Sequence, residues 1–383
     1  MRSHGGPVGV SSTHADEFQL VDALTGGPPL RVPTHLPRPP GPGGRHRARW
    51  VSRTGPAVGD PKGQPVTRRL SGFKPTGHLQ LGNYLGAIRP MVDSQHHTDS
   101  VVAVVDLHAL TITHDPPRVR ALTLEAATLL LAAGVDPDVS LLYVQSHVPE
   151  HTELHYLLEC ATGYGEAHRM IQFREKSTAQ TRLSLLTYPV LMAADILLHD
   201  ADEVPVGTDQ TQHLELARDV AARFNGRYGP TFTVPRAVTP PVAARVMDLA
   251  HPTAKMGKTN ASSAGVIALL DSPDTVRRKV MRAVTDSGAA AERSPGVANL
   301  VDILTACTGE TPGEFGSYSD LKRAVADAVV ATLDPIQRRH RELTEDPGYV
   351  RGVLATGARL ARARGAGVVT RAKDALGLLD CAA

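Results

Sequence analysis

From residue 66 onward the apolar and polar positions follow two alternating rhythms. Residues 66–73 read as a strand that runs into a glycine-rich turn, and residues 82–95 read as a helix. Ser100-Val101-Val102-Ala103-Val104-Val105-Asp106 is a continuous apolar run, the mark of a strand buried on both faces of a parallel sheet. Residues 117–133 place Val119, Leu122, Ala126, Leu129, Leu130 and Ala133 at helical spacing. Residues 139–144 form another strand candidate, and residues 185–199 are apolar nearly all round, as in a buried helix. Glu203-Val204-Pro205-Val206-Gly207 reads as a short strand feeding a helix with Leu214, Ala217, Ala221 and Phe224 on one face. This β–α alternation predicts an α/β fold, a doubly wound parallel-sheet (Rossmann-like) catalytic domain over 67–260. After about residue 262 the strands stop. Residues 265–285, 297–307, 320–343 and 347–380 read as helices, which predicts a C-terminal α-helical domain over 261–383. Its last part carries Arg351, Arg359, Arg362, Arg364 and Arg371, a charge run that either faces RNA or forms a solvated helix surface.

The segment before this pattern differs in kind. Residues 1–66 contain 11 prolines and 11 glycines. Such a stretch buries too little apolar surface to offset its ordering entropy, so a disordered tail is expected. A further expectation is that translation starts near Val66. Residues 1–69 carry a net charge of +6, which leaves −4 on the remainder and only +2 on the 383-residue chain. That balance excludes a whole-protein polycation. Aromatic residues make up 4%, too few for a surface of many exposed rings. The three cysteines, Cys160, Cys307 and Cys381, are far apart and form no CxxC pair. Reduced thiols in a cytoplasmic protein are expected, with no zinc site and no other metal held by the protein. No apolar run is long enough to span a membrane, and no secretory leader is evident.

Three segments carry candidate chemistry. Ser71-Gly72-Phe73-Lys74-Pro75-Thr76-Gly77-His78-Leu79-Gln80-Leu81-Gly82-Asn83-Tyr84 links the first strand to the first helix. Glycines let a backbone approach a ligand closely, and helix N-terminal N–H groups attract phosphates. A tight βα turn without a ligand fits equally well. Ala254-Lys255-Met256-Gly257-Lys258-Thr259 is a loop whose two lysines either neutralise a leaving polyphosphate or are simply exposed. Asp202 to Asp219 begins at the C-terminal end of a strand, where open α/β sheets bind ligands, and places Asp209 and Gln210 toward the crevice.

In this order and at these spacings, the three segments resemble the class I aminoacyl-tRNA synthetases, and within them the bacterial tryptophanyl branch. The first is similar to the extended HIGH element, the second to KMSKS, and the third to the branch's VPVGxDQxQHxELxRD stretch. Leu186-Thr187-Tyr188-Pro189-Val190-Leu191-Met192-Ala193-Ala194-Asp195-Ile196-Leu197 and Ala283-Val284-Thr285-Asp286-Ser287 match as well. The resemblance covers about 67–383. It implies activation of tryptophan by ATP with Mg²⁺, release of pyrophosphate, and transfer of tryptophan to tRNA(Trp) by a cytoplasmic homodimer. It assigns Lys74, Pro75 and Thr76 to ATP, Gly82 and Asn83 to its phosphates, and Gly207, Thr208 and Asp209 to its ribose. Val246 would make a backbone contact to adenine. Lys255, Met256, Gly257, Lys258 and Thr259 form the pyrophosphate loop, and Gln80, Asn83, Lys255 and Lys258 would be catalytic. Asp195 would accept the indole N–H, with Tyr188 and Gln210 on the amino group, Met192 as a pocket wall and His108 lining the pocket. Without the resemblance, Asp195 reads first as a structural buried acid, and His108 equally as a turn histidine. The helical domain would bind the anticodon.

Four positions depart from the family pattern. Gln80 stands where the branch usually has threonine, and an amide still donates to a phosphate oxygen. Gly257 and Thr259 replace the two serines of KMSKS, which removes a hydroxyl donor and adds backbone freedom at Gly257. Lys74 replaces a frequent glutamine beside the expected substrate carboxylate, so altered recognition of tryptophan mimics is expected.

Overall fold

A computed structural model describes residues 66–206, 211–238, 246–257, 263–285 and 294–379. The proline- and glycine-rich tail lies outside the described residues. Five strands build one parallel sheet in the order β3-β2-β1-β4-β5. They are β1 (Arg68–Phe73), β2 (Asp99–Val104), β3 (Leu141–Val144), β4 (Glu203–Pro205) and β5 (Arg236–Val238). The chain winds outward from β1 to β3 on one side, then crosses to build β4 and β5 on the other. The strand order therefore reverses beside β1, and the C-terminal ends of β1 and β4 bound the crevice where such sheets hold ligands. Val101, Val102, Val104, Leu141 and Leu142 are all buried, as their unbroken apolar runs predict.

The expected helices are present, with informative differences. The 82–95 helix divides into α1 (Leu81–Asn83), one wide π turn over Tyr84–Ile88 and α2 (Arg89–Ser94). The wide turn sits directly before Pro90, which has no N–H to give to the preceding turn. The described helices continue as α3 (Pro116–Ala132), α4 (Glu150–Glu159), α5 (Tyr164–His168), α6 (Ile171–Lys176), α7 (Leu183–Leu197) and α8 (Thr211–Tyr228). They end with α9 (Pro273–Met281), α10 (Pro295–Thr308), α11 (Tyr318–Glu345) and α12 (Pro347–Ala375).

The prediction of one helix over 265–285 is corrected. Residues 267–269 are extended and bonded to the first motif: Leu81 N donates to Ile267 O at 2.8 Å, and Leu269 N donates to Leu79 O at 3.0 Å. Ser272 caps α9 and Pro273 opens it, so the helix starts only there. Among the described residues no strand follows β5, and Ala268 makes only an isolated bridge to Gln80.

The helical C-terminal region returns to the sheet. On α12, a Cβ at Gly357 would stand 1.8 Å from the carbonyl oxygen of Leu142, so the helix backbone lies directly on β3. The basic side chains expected either to meet RNA or to be solvated are in part spent on this docking. Arg362 pairs with Glu150 at 3.4 Å, Arg364 with Asp99 at 3.4 Å, Arg371 with Asp200 at 2.8 Å and Lys373 with Glu153 at 3.0 Å. Arg351 and Arg359 remain exposed.

Gly357→Ala is expected to destabilise the protein by about 1–3 kcal/mol, because the added methyl meets backbone that cannot rotate away. A thermal or urea unfolding midpoint equal to that of the parent protein would show that α12 is not seated on β3.

Candidate active site

The crevice floor is set by a clamp between the first motif and the lysine loop. Gln80 is 1% exposed and caps α1: its Oε1 accepts from Gly82 N at 2.5 Å, and its Nε2 donates to Met256 O at 2.7 Å. Asn83 completes the capping box by accepting from Gln80 N at 3.0 Å, which leaves its amide nitrogen as the donor end. Any Cβ at Gly82 would stand 2.9 Å from Gln80 Oε1 and 3.4 Å from Val246 Cβ, so glycine is needed for the cap to close. Met256 N donates to Val246 O at 3.0 Å, and Met247 bridges to Lys255. Gln80, Gly82, Asn83, Val246, Lys255, Met256 and Gly257 are thus gathered at the N-terminus of α1. Gln80 was expected to give its amide to a phosphate; here that amide joins the two loops. Lys74, Pro75 and Thr76 follow β1 directly, with Lys74 Nζ 3.4 Å from Thr111 Oγ1. Gly207, Thr208, Asp209, Gln210, Lys258 and Thr259 lie outside the described residues.

The second half of the site lies on α7. Tyr188, Met192 and Asp195 are spaced i, i+4 and i+7, so they share one helix face, and all are buried. The Tyr188 hydroxyl meets His213 Nε2 at 2.7 Å and Gln172 Oε1 at 3.2 Å, and burial pushes its pKa up. Asp195 is 1% exposed. Its Oδ2 accepts from His108 Nε2 at 2.8 Å, and its Oδ1 accepts from Gln145 Nε2 at 2.6 Å. His151 Nδ1 lies 2.8 Å from the same Oδ1, on an approach too oblique for a linear hydrogen bond. Burial acts to raise the Asp195 pKa, but His108 and His151 outweigh it and hold the carboxyl well below its ordinary range. Burial in turn lowers the His108 pKa against the pull of Asp195.

Sequence reasoning did not find Gln145, His151, Tyr143 or His199. Gln145 and His151 follow β3 at its C-terminal end, the position that the motif analysis used for β1 and β4 only. His199 continues the Asp195 stripe by one more turn, and Tyr143 is concealed in an apolar strand.

Residues 62–336 match the family model of class I tRNA synthetases (W and Y). The chain belongs to that family. Tryptophan–tRNA ligase 1 of Streptomyces avermitilis is 57% identical over 330 residues, covering 82% of this chain and 100% of that protein. Among solved structures, tryptophanyl-tRNA synthetase from Mycoplasma pneumoniae superposes with a TM-score of 0.76 at 35% identity, covering 82% of this chain and 98% of the other. The Campylobacter jejuni enzyme, complexed with ADP and tryptophan, superposes with a TM-score of 0.70 at 32% identity, covering 82% and 100%.

Two predictions follow from the geometry of this synthetase. Gln80→Ala removes an N-cap and the tie to Met256 together. It is expected to cost about 1–3 kcal/mol in urea unfolding and to speed proteolysis of the 255–257 loop. Unchanged cleavage there would mean that Gln80 does not hold the loop.

The second concerns acid. His199 faces Tyr143 on β3, His151 on α4, Asp195 on α7, Arg68 on β1 and Arg364 on α12. Burial first, then positive charge from its surroundings, that of Arg364 and Arg68 included, pushes its pKa well below the ordinary value. The folded state therefore binds fewer protons than the unfolded state. The stability it contributes is complete above the unfolded value of about 6.5 and falls as pH drops below it. His108 has the same sign. The melting temperature is expected to fall between pH 7.5 and 5.5, and by less in His199→Gln; equal falls in both proteins would count against this account.

Proposed function

We propose that this chain joins tryptophan to ATP, releasing pyrophosphate and forming tryptophanyl-adenylate, and then transfers tryptophan to the terminal ribose of tRNA(Trp). The observation that carries the reading is Asp195. An ionised carboxylate offers about four acceptor directions; His108 and Gln145 take two of them, and the His151 ring crowds a third at Oδ1. One is left for an N–H donor such as that of indole. A ring without N–H would leave that buried acceptor unpaired, at a cost of roughly 1–3 kcal/mol.

In this proposal Met192 forms a wall of the indole pocket, His108 lines it, and Tyr188 and Gln210 meet the amino group. Lys74, Pro75, Thr76, Gly82, Asn83, Gly207, Thr208, Asp209 and Val246 hold ATP. Lys255 and Lys258, with Met256, Gly257 and Thr259 shaping their loop, take up the charge of the leaving pyrophosphate. Gln80 acts by holding that loop to α1. Among the described residues no cluster of acids, histidines or cysteines forms a metal cage. Mg²⁺ is taken to enter as part of the MgATP substrate, where it shares the charge of the phosphates.

The division at residue 260 is part of the same proposal, with 67–260 catalytic and 261–383 binding the anticodon. So is a homodimer. Tyr156, Tyr164, Ile171 and Leu183 are exposed large hydrophobic residues in the α4–α7 region, which a second copy of the chain would cover. No helix among the described residues is long and apolar enough to cross a membrane, and a cytoplasmic location is proposed.

ATP–pyrophosphate exchange that depends on tryptophan and not on tyrosine is the test, and no exchange with tryptophan would overturn the reading. Asp195→Asn is expected to raise the tryptophan KM by about 10- to 100-fold and to abolish the preference over benzothienylalanine, in which sulfur replaces the N–H. A retained preference would remove Asp195 from its assigned role.

A further inference from the structure

The residues behind Asp195 form a second buried polar layer. Tyr143 and His199 lie in the core, with no surface of their own, beside His151. The Tyr143 hydroxyl stands 2.9 Å from His151 Nε2 and 2.7 Å from His199 Nε2. The rings are close as well, with Tyr143 stacked on His151 at 5.7 Å between centroids and 18° between planes. The far end is fixed by charge: Arg68 Nη1 donates to His199 O at 2.7 Å, Arg68 Nε pairs with Asp99 at 2.7 Å, and Arg364 of α12 pairs with the same Asp99.

Proton counting gives this layer one self-consistent arrangement. A bare nitrogen lone pair 2.8 Å from a carboxylate oxygen is repelled, so His151 carries its proton on Nδ1, toward Asp195. In the neutral ring, His151 Nε2 is then an acceptor. Tyr143 has one proton, which it donates to His151 Nε2. His199 must therefore carry its proton on Nε2 and donate to the Tyr143 oxygen. Every ring is neutral and every polar hydrogen in the chain points toward Asp195.

We propose that Tyr143, His151 and His199 are positioning residues for amino-acid selection, a directional relay that fixes the Asp195 carboxylate so that its remaining acceptor direction faces the indole N–H. This rests on the role proposed above for Asp195. Tyr143→Phe keeps the ring and removes the hydroxyl, so His151 Nε2 loses the buried donor that holds its ring beside Asp195. Burial holds the Tyr143 proton in place, since it pushes that hydroxyl well above its ordinary pKa.

The test is ATP–pyrophosphate exchange with tryptophan and with benzothienylalanine. In Tyr143→Phe the tryptophan KM is expected to rise about three- to tenfold, with kcat within about twofold of the parent. Preference for tryptophan over the sulfur isostere is expected to fall by the same factor. A structural role alone would lower the melting temperature and leave the preference intact. His199→Gln, which keeps an N–H donor for Tyr143, is expected to retain the preference, and His199→Leu to lose it. If the two His199 variants discriminate equally well, the relay is wrong, and this comparison decides the matter even where Tyr143→Phe fails to fold. If Asp195→Asn abolishes the preference while Tyr143→Phe keeps it, the relay fails and the role of Asp195 stands; if Asp195→Asn keeps it, the underlying reading fails first.

Discussion

A carboxylate with 1% of its surface exposed is ionised only if its neighbours make it so. Asp195 meets that condition through groups from three separate parts of the chain: His108 after β2, Gln145 after β3 and His151 on α4. None is close to Asp195 in sequence. The parallel sheet brings them together by ending β2 and β3 at one edge, where α7 passes with its polar stripe turned inward. The fold is thus a device for assembling donors around one buried charge. That also explains why so polar a cluster tolerates burial, since an unpaired charge at this depth would be far costlier than any of the pairs.

The half of the site proposed to hold phosphates is organised differently. Gln80, Gly82 and Asn83 satisfy one another at a helix N-terminus, and Gln80 then reaches across to the Met256 carbonyl. The loop bearing Lys255 is anchored at a buried residue, Met256, while Lys255 and Gly257 on either side are only partly buried. A fixed pivot between more exposed neighbours suits the proposed role of following a leaving group. Residues 267–269, paired to Leu79 and Leu81, brace the same motif from the other side.

Much of this was legible in the sequence because the governing signals are local. Apolar runs located β1 to β4 and α7, and the order of the glycine-rich, lysine and strand-end segments carried the family resemblance. What escaped has physical reasons. Strand β5 is a three-residue edge strand with Arg236 and Ala237 exposed, so it has no apolar signature. Helix α4 buries His151 among Leu154, Leu157 and Leu158, and its polar residues obscure the period. Residues 267–269 look helical by composition but are held extended by backbone bonds to a segment nearly 190 positions earlier, which no local pattern encodes. The arginines of α12 read as a surface charge run because their partners, Asp99, Glu150 and Asp200, lie in the other half of the chain.

Those same arginines join the two halves of the molecule. Asp99 is shared between Arg68, which also holds the His199 carbonyl, and Arg364 of α12. Loss of either arginine would leave Asp99 with less compensation for its burial, so the pairing ties α12 to β1 and β2. Helix α12 is pressed on β3 through Gly357, at the carbonyl of the residue before Tyr143. The surface that positions the C-terminal helix and the layer proposed to back the amino-acid pocket therefore adjoin at Leu142 and Tyr143. A change that unseats α12 bears on Tyr143 through Gly357 and on Leu198, next to His199, through Gly365, so the pocket proposed to read the amino acid and the helices proposed to read the tRNA share a common mechanical support.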